Sequence, residues 1–194
     1  MPIECPTCPP LRAGTLCLRP WHADDANALC EAVQASLASV GRWLSWCHAG
    51  YGLADATAWI AHCQDGWAQR LHAAFAVVDD ASGELLGSVG LSQWNAVEGS
   101  ANLGYWVRQS RQGKGIATRA ASMAAGFGFG TLGLGRIDIA VLPDNLASRR
   151  VADKLGATCQ GRIPGRLRWR DQARDAVVYT LRPGAVTAGV SGGA

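Results

Sequence analysis

Two glycines stand one residue apart in the middle of the chain, in the segment Arg111-Gln-Gly-Lys-Gly-Ile-Ala-Thr118. An apolar run with Leu103, Tyr105 and Val107 at alternate positions precedes them, which predicts a β-strand. Apolar residues at helical spacing follow them. A glycine turn between strand and helix directs several backbone N–H groups at one point, at the positive end of the helix dipole. The segment therefore predicts a site for phosphate oxygens.

The residue types of this loop exclude two familiar nucleotide motifs. A P-loop needs Ser or Thr directly after its Gly-Lys pair, whereas Gly115 follows Lys114. A dinucleotide fingerprint needs three spaced glycines and an acidic residue that ends the next strand, whereas Asp138 lies in the middle of its predicted strand. An ordinary strand–helix turn with solvated charges remains the alternative to an anion site.

Strands and helices that would position this loop are predicted along most of the chain. Strands are predicted at 14–19, 73–78, 85–94, 101–107, 136–142 and from 157 onwards. Helices are predicted from Asp24 or Asp25 to Ala38, at 40–46, at 55–71, from 117 onwards, and at 146–155, where Gly156 ends the helix. This mixture predicts an α/β (α+β mixed) fold.

The order of these segments resembles the GCN5-related N-acetyltransferase (GNAT) superfamily. In detail it is similar to the ribosomal-protein-alanine (RimJ/RimL-like) branch. The matching segments keep the family's order and spacing over roughly residues 14–182: Leu16-Cys-Leu-Arg-Pro20, Leu103-Gly-Tyr-Trp106, Gln112-Gly-Lys-Gly-Ile-Ala-Thr118, Asn145-x-x-Ser148, Lys154-Leu-Gly156, Gly161 and Asp175-x-Val-Val-Tyr179. The tandem of the glycine loop with Asn-x-x-Ser and Lys-Leu-Gly is specific to the superfamily.

The resemblance implies a central mixed, mostly antiparallel sheet that is flanked by helices and splayed between its fourth and fifth strands, here 101–107 and 136–142. Acetyl-CoA is expected in that gap, with its pyrophosphate on the glycine loop and its pantetheine arm along 103–107. The expected cofactor-binding residues are Tyr105, Trp106, Val107, Arg108, Gln112, Gly113, Lys114, Gly115, Ile116, Ala117, Thr118 and Asn145. Ser110 replaces a Gln or Arg that is frequent in the family, so Arg108 or Arg111 is expected to supply the rim charge.

The implied reaction is direct attack of a neutral primary amine on the thioester in a ternary complex. Ser148 matches the serine that assists the departing thiolate in this branch, and Asn145 would orient the cofactor arm. Asn145 is equally a plausible helix N-cap, and Ser148 an ordinary first-turn residue. Relatives commonly carry Glu where this chain has Asn102, so we expect a water relay at Asn102 to remove the amine proton. Glu98 and Asp175 are the other acidic candidates.

The acceptor pocket is expected between the N-terminal helices and the last hairpin. Trp43, Trp46 and Trp94 are candidates to line it, although tryptophans in such places also fill cores. The resemblance favours a protein N-terminal α-amine as acceptor, and leaves a small amine or an antibiotic open. Two other classes stay open: a non-catalytic CoA-binding sensor, and an RNA- or ribosome-binding module that uses the arginines of segment 162–174.

The chain of 194 residues with 48% hydrophobic content is long enough for one core. We expect a flexible leader at 1–13, one domain at 14–182 and a disordered tail at 183–194. The odd count of seven cysteines and the absence of a signal sequence predict reduced thiols in the cytoplasm. Cys5-x-x-Cys8 lacks a second ligand pair, so no metal is expected.

The expected partners follow from charge and composition. The net charge of +3 is too small and too scattered to predict direct nucleic-acid binding. No apolar run approaches the length of about 18 residues that spans a membrane, so no membrane partner is expected. Relatives suggest a homodimer, which no residue decides.

Overall fold

The structure, a computed structural model, describes residues 10–184 of the chain. Its strands are Leu11–Ala13 (β1), Leu16–Pro20 (β2), Ala73–Asp79 (β3), Leu85–Asn95 (β4), Ser100–Val107 (β5), Arg136–Val141 (β6), Thr158–Trp169 (β7) and Gln172–Leu181 (β8). Its α-helices are Ala26–Gln34 (α1), Leu53–Ala68 (α2), Ile116–Gly130 (α3) and Leu146–Lys154 (α4). Two short 3-10 turns, Ala23–Asp25 and Gln109–Arg111, precede α1 and the glycine loop.

The strands form one eight-stranded sheet in the order β1-β2-β3-β4-β5-β6-β8-β7. All neighbouring strands are antiparallel except β5 and β6, which run parallel. This parallel pair joins only Ser100 to Arg136, Ala101 to Ile137 and Asn102 to Asp138, after which the two strands separate. The predicted fold class and the position of the splay are confirmed, with the predicted fourth and fifth strands becoming β5 and β6.

The two faces of the sheet are covered by different helices. On one face, Leu103 and Val107 of β5 and Ile137 and Ile139 of β6 are buried in a core shared with α3. Because alternate residues of a strand lie on opposite faces of the sheet, Asn102, Gly104 and Trp106 of β5 lie on the other face. Trp106 packs there against the cluster built by α1 and α2. Residues of α3 and α4 contribute to the first cluster, and residues of α1 and α2 contribute to the second. No helix within residues 10–184 combines the length and the apolar character needed to cross a membrane.

Three of the sequence predictions for the N-terminal third need correction. Leu11–Ala13, which were assigned to the flexible leader, form β1 and pair with β2. Helix α1 ends at Gln34 and does not reach Ala38. The Ser36 side chain explains this end, since its hydroxyl donates to Ala32 O over 2.6 Å and accepts from Gln109 N over 3.0 Å. Residues 1–9 and 185–194, where the rest of the predicted leader and most of the predicted tail fall, lie outside the described residues.

Residues 40–46, which the sequence predicts as helical, form consecutive turns instead. A Cβ at Gly41 would lie 2.5 Å from the carbonyl oxygen of Cys47 and 2.6 Å from that of Leu37. The chain therefore folds tightly back on itself at this glycine, and a continuous helix cannot pass through such a contact. The turns bring Trp43 and Trp46 towards the splayed strands.

Two glycines of α3 are expected to respond oppositely to the same substitution. Gly126 is exposed, and a Cβ there meets nothing within 4 Å, so Gly126→Ala should raise the free energy of unfolding by about 0.5–1 kcal/mol. At Gly128 a Cβ would lie 2.9 Å from the Cδ1 atoms of Ile137 and Leu91. Gly128→Ala should therefore lower the free energy of unfolding by about 1–3 kcal/mol through overpacking. Urea unfolding of both variants measures this, and equal shifts would contradict it.

Candidate active site

The gap between the separated strands opens into a cavity of about 510 Å³. Residues 103–107 of β5 line one side and residues 139–142 line the other, with the glycine loop at one end and the first turns of α4 alongside. This volume lies within the range of about 300–1,000 Å³ that is typical of small-molecule sites. The cavity exists because β5 and β6 stop pairing after Asn102 and Asp138.

The glycine loop ends in the left-handed backbone conformation that glycine adopts most readily. Gly113 and Gly115 have φ angles of +75° and +74°, and a Cβ at either position would contact nothing within 4 Å. Gly115 is the N-cap of α3 and supplies no capping side chain. Gln112 Nε2 donates to Val107 O over 2.8 Å and so ties the loop to the end of β5. The N–H groups at the start of α3 are thus available to an anion in the cavity.

The two cations predicted for the rim differ in their placement. Arg108 does not line the cavity: its guanidinium lies 2.6 Å from Glu31 and 3.3 Å from Glu84, with a side chain only 12% exposed. Arg111 lines the cavity and also binds Glu84, whose pKa is lowered by that hydrogen bond. Lys114 lies outside the lining. Arg108 therefore joins α1 to the sheet, and among the predicted rim cations only Arg111 borders the gap.

Three polar side chains meet at the middle of the cavity wall. The Tyr105 hydroxyl donates to Ser148 O over 3.1 Å and lies 3.0 Å from Ser148 Oγ. Asn145 Oδ1 accepts from Ser148 N over 3.1 Å, so Asn145 is the N-cap of α4. Burial raises the pKa of Tyr105 to about 12, which keeps the phenol protonated at neutral pH. The single Tyr105 proton is taken by Ser148 O, so the Ser148 hydroxyl is the member of this group that can donate into the gap.

The predicted acceptor-side residues separate into two groups. Trp43 and Trp46 line the cavity, and the ring centroid of Trp46 lies 5.6 Å from that of Trp106. Trp94 does not line the cavity, since it packs against the core under α3. Asn102 also lies outside the lining, in a second and smaller pocket of about 180 Å³ beside the point where β5 and β6 separate. The structure thus brings two of the three predicted tryptophans to the gap.

The chain matches the acetyltransferase (GNAT) domain family over residues 15–158. This protein belongs to the GNAT acetyltransferase family. It is 31% identical over 99 residues to YdaF of Bacillus subtilis (strain 168), whose name provisionally assigns it to the ribosomal N-acetyltransferases; the match covers 51% of this chain and 54% of that protein. It is 32% identical over 100 residues to spermidine N(1)-acetyltransferase of Escherichia coli (strain K12), covering 52% and 54%.

The chain spans about half the length of the curated relatives that it matches. The likeness to solved structures extends further. RimJ of Mycobacterium smegmatis in complex with CoA-disulfide superposes with a TM-score of 0.81 at 25% identity, covering 92% of this chain and 90% of that one. The predicted GNAT family is confirmed, and so is the resemblance to its RimJ/RimL branch.

Two lining cations of this GNAT chain were not predicted from the sequence. Arg150 and Lys154 of α4 both line the cavity, and they lie four residues apart on one helix face. Their spacing on the helix that carries Ser148 could have predicted from the sequence that they line the cavity. Arg168 and Trp169 reach the cavity from β7, in agreement with the expectation that the last hairpin borders the acceptor pocket.

No three His, Cys, Asp or Glu side chains within residues 10–184 are grouped so that they could hold a metal ion. Cys5 and Cys8 lie outside the described residues.

The two possible roles of Asn145 can be separated by two substitutions. Asn145→Ala removes the acceptor for Ser148 N and should lower the free energy of unfolding by about 1 kcal/mol. Asn145→Ser keeps a neutral capping oxygen, so its stability should stay close to that of the native chain. Thermal unfolding measures both. If Asn145→Ser then weakens CoA binding, the amide also contacts the cofactor; if binding is unchanged, capping is its whole role.

Proposed function

We propose that this chain transfers an acetyl group from acetyl-CoA to a primary amine, with a protein N-terminal α-amine as the acceptor. One observation carries the proposal: β5 has a strand partner on its β6 side only as far as Asn102, so the edge of residues 103–107 faces the cavity unpaired. Extended pantetheine carries amides that can pair with such an edge as an added strand would. The glycine loop stands at one end of this edge, where the pyrophosphate would bind.

The residues present fit two parts of the cofactor, the pyrophosphate and the pantetheine arm. The loop from Gln112 to Thr118, with the first N–H groups of α3, would hold the pyrophosphate, and Tyr105, Trp106 and Val107 would flank the pantetheine arm. When bound, acetyl-CoA supplies an activated thioester carbonyl. The backbone N–H of Val107 lies on the β6 side of β5, because the even-numbered Arg108 donates to Leu86 O of β4. This N–H would stabilise negative charge on the carbonyl oxygen in the transition state.

Ser148 and Tyr105 would assist the leaving group. Ser148 Oγ lines the gap and can donate a hydrogen bond or a proton to the departing thiolate. The Tyr105 hydroxyl donates to Ser148 O, lies 3.0 Å from Ser148 Oγ and stays protonated because of its raised pKa, so it can hold Ser148 in place. Asn145 fixes the first turn of α4 on which Ser148 lies.

The acceptor side favours a peptide amine over a polyamine. An α-amine with a pKa near ~8 is far easier to deprotonate than a lysine side chain near ~10.4. Trp43 and Trp46 offer apolar walls for the first side chains of a peptide. Arg168, the lining cation contributed by the last hairpin, would repel a polycation such as spermidine. Arg162 of the last hairpin is already paired with Asp175, which weakens the case for an RNA-binding hairpin.

The experiment follows free thiol release from acetyl-CoA with a panel of acceptors. The panel contains peptides with varied free N-termini, the same peptides with blocked N-termini and one internal lysine, and spermidine. Thiol release with free N-termini alone is expected. Release with spermidine alone would contradict the acceptor class. CoA binding without release on any acceptor would instead identify a CoA-binding sensor, the class that the Asn102 position keeps open.

A further inference from the structure

The face of the sheet beside the cavity holds a carboxylate that no cofactor contact uses. We propose that Asp138 accepts the proton that the acceptor amine loses, in place of the acidic side chain that is absent at Asn102. This proposal rests on the proposed acetyl transfer. It names a residue on β6, one strand away from the position where relatives commonly carry Glu.

Asn102 and Asp138 form the last pair of residues joining β5 to β6 before the gap opens. Both project from the sheet face opposite α3, because Leu103 and Ile139, their next neighbours along each strand, are buried in the α3 core. Two residues further along, Gly104 and Ala140 line the cavity on the same face. An amine that reaches the thioester from this face therefore comes towards the vertex where Asn102 and Asp138 lie.

The pocket at this vertex is polar and can hold water. It has a volume of about 180 Å³, whereas one water needs only about 10–15 Å³. Asn102 Oδ1 borders it, is buried, and accepts no hydrogen bond within residues 10–184. A buried amide oxygen without a donor is costly, and a bound water would satisfy it. Asparagine cannot take up a proton at neutral pH, so such a water must pass its proton to another group.

Asp138 offers one oxygen for this purpose. Its Oδ1 accepts from Thr180 Oγ1 over 2.7 Å, which fixes the carboxylate. Its Oδ2 lies 3.2 Å from Arg136 Nε, but this contact lacks hydrogen-bond geometry. The Asp138 side chain is only 18% exposed and borders the same pocket as Asn102. The carboxylate is thus oriented by one oxygen and free to accept a proton on the other.

The other acidic candidates are less suited. Glu98 borders the pocket, but its side chain is half exposed and accepts from Arg136 Nη2 over 2.6 Å. Asp175 accepts hydrogen bonds within the last hairpin from Gly165 N and Arg162 Nε. These bonds lower its pKa, and the bond from Gly165 N has the larger effect. The charged groups that border the pocket around Asp138 are therefore Arg136, Glu98 and, from β7, Arg166.

The amine loses two protons in the reaction, one to Asp138 and one to the sulfur of the leaving group. An amine that arrives as an ammonium ion carries three N–H protons, and the amide product keeps one. One proton passes through the water beside Asn102 to Asp138 and leaves to solvent. The other reaches the sulfur of the leaving thiolate, which gives free thiol. A C–N bond forms, a C–S bond breaks, and nothing is oxidised or reduced.

The test compares Asp138→Asn with Asp80→Asn, the same change in a carboxylate that pairs with Arg12 and borders neither pocket. At pH 7, Asp138→Asn should lower kcat about 10²-fold, with Asp80→Asn close to the native value. CoA affinity should change little in either variant. The deficit should narrow as the pH rises to about 9.5, because an α-amine with a pKa near 8 then arrives already neutral. A purely structural role would leave the deficit independent of pH.

A carboxylate swap supplies the second variant. Asn102→Glu in the Asp138→Asn background places an acid where relatives carry one, and it should restore a large part of the lost turnover. Native-like kcat for Asp138→Asn at pH 7, or a deficit that does not change with pH, would overturn the proposal. No thiol release by the native chain on any acceptor would overturn the proposed function as well, so the two failures are distinguishable.

If Asp138→Asn does not fold, the native chain answers the same question. Its kcat/KM is measured against pH with two peptides whose N-terminal amines differ in pKa. With a base on the protein, both profiles share an ascending limb at the same pH. A limb that moves entirely with the amine pKa would overturn the role of Asp138.

Discussion

Gly104→Val is expected to abolish acetyl-CoA binding and to lower kcat/KM by more than about 10²-fold, since even an ångström of displacement can cost that much. Gly104 lies on β5 in the middle of the cavity wall, and a Cβ there would meet nothing within 4 Å of the protein. The valine side chain would therefore extend into the space assigned to the cofactor arm. Its backbone is an extended strand that β-branched residues favour, so the fold should remain.

The matched control is Gly126→Val on α3, where a Cβ also meets open space but the position is exposed and away from the cavity. This variant should bind acetyl-CoA as the native chain does. Calorimetric titration and thermal unfolding of both variants separate blocked binding from misfolding. Native-like affinity in folded Gly104→Val would show that the cofactor does not lie along β5.

The second large effect is expected from Ser148→Ala, which should lower kcat by about 10²–10⁴-fold while CoA affinity stays close to the native value. The variant removes the hydroxyl that borders the gap beside Tyr105 and leaves the cap from Asn145 to the backbone N–H in place. Stopped-flow thiol release and CoA titration measure the two quantities. Ser122→Ala, on α3 and outside the cavity lining, is the matched control and should turn over normally.

The raised pKa of Tyr105 predicts how kcat changes with pH. The pKa of Tyr105 is raised to about 12 because burial disfavours the ionised phenolate. The protonated form therefore persists through the neutral and mildly alkaline range and is lost only as the pH approaches 12. Tyr105→Phe should lower kcat without moving the acidic limb of the profile. An activity loss in the native chain near pH 10 that Tyr105→Phe removes would contradict this assignment.

The parts of the fold and of the site that depend on local sequence patterns could be predicted from the sequence. Three such features lie at the gap as predicted: the glycine loop, the alternation of β5 and the capping position of Asn145. Each of them depends on only a few consecutive residues. Family order then placed the splay between the strands at 101–107 and 136–142, which became β5 and β6.

Long-range contacts account for the predictions that were wrong. Arg108 or Arg111 was expected at the phosphate rim, and Arg111 is the one that borders the gap. The partners of Arg108, Glu31 and Glu84, are 77 and 24 residues away in the sequence, and no local pattern reveals them. Gly41 ends any helix at 40–46 through its contact with Cys47, which requires the folded turn to exist first. β1 is only three residues long, too short for alternation to be visible.

The central claim is that acetyl-CoA occupies the gap between β5 and β6, and calorimetric titration of the native chain with acetyl-CoA tests it most directly. The account predicts saturable binding of one acetyl-CoA per chain, which Gly104→Val removes and Gly126→Val preserves. A folded native chain that gives no binding heat at several temperatures, with no retention of acetyl-CoA in equilibrium dialysis, would contradict it.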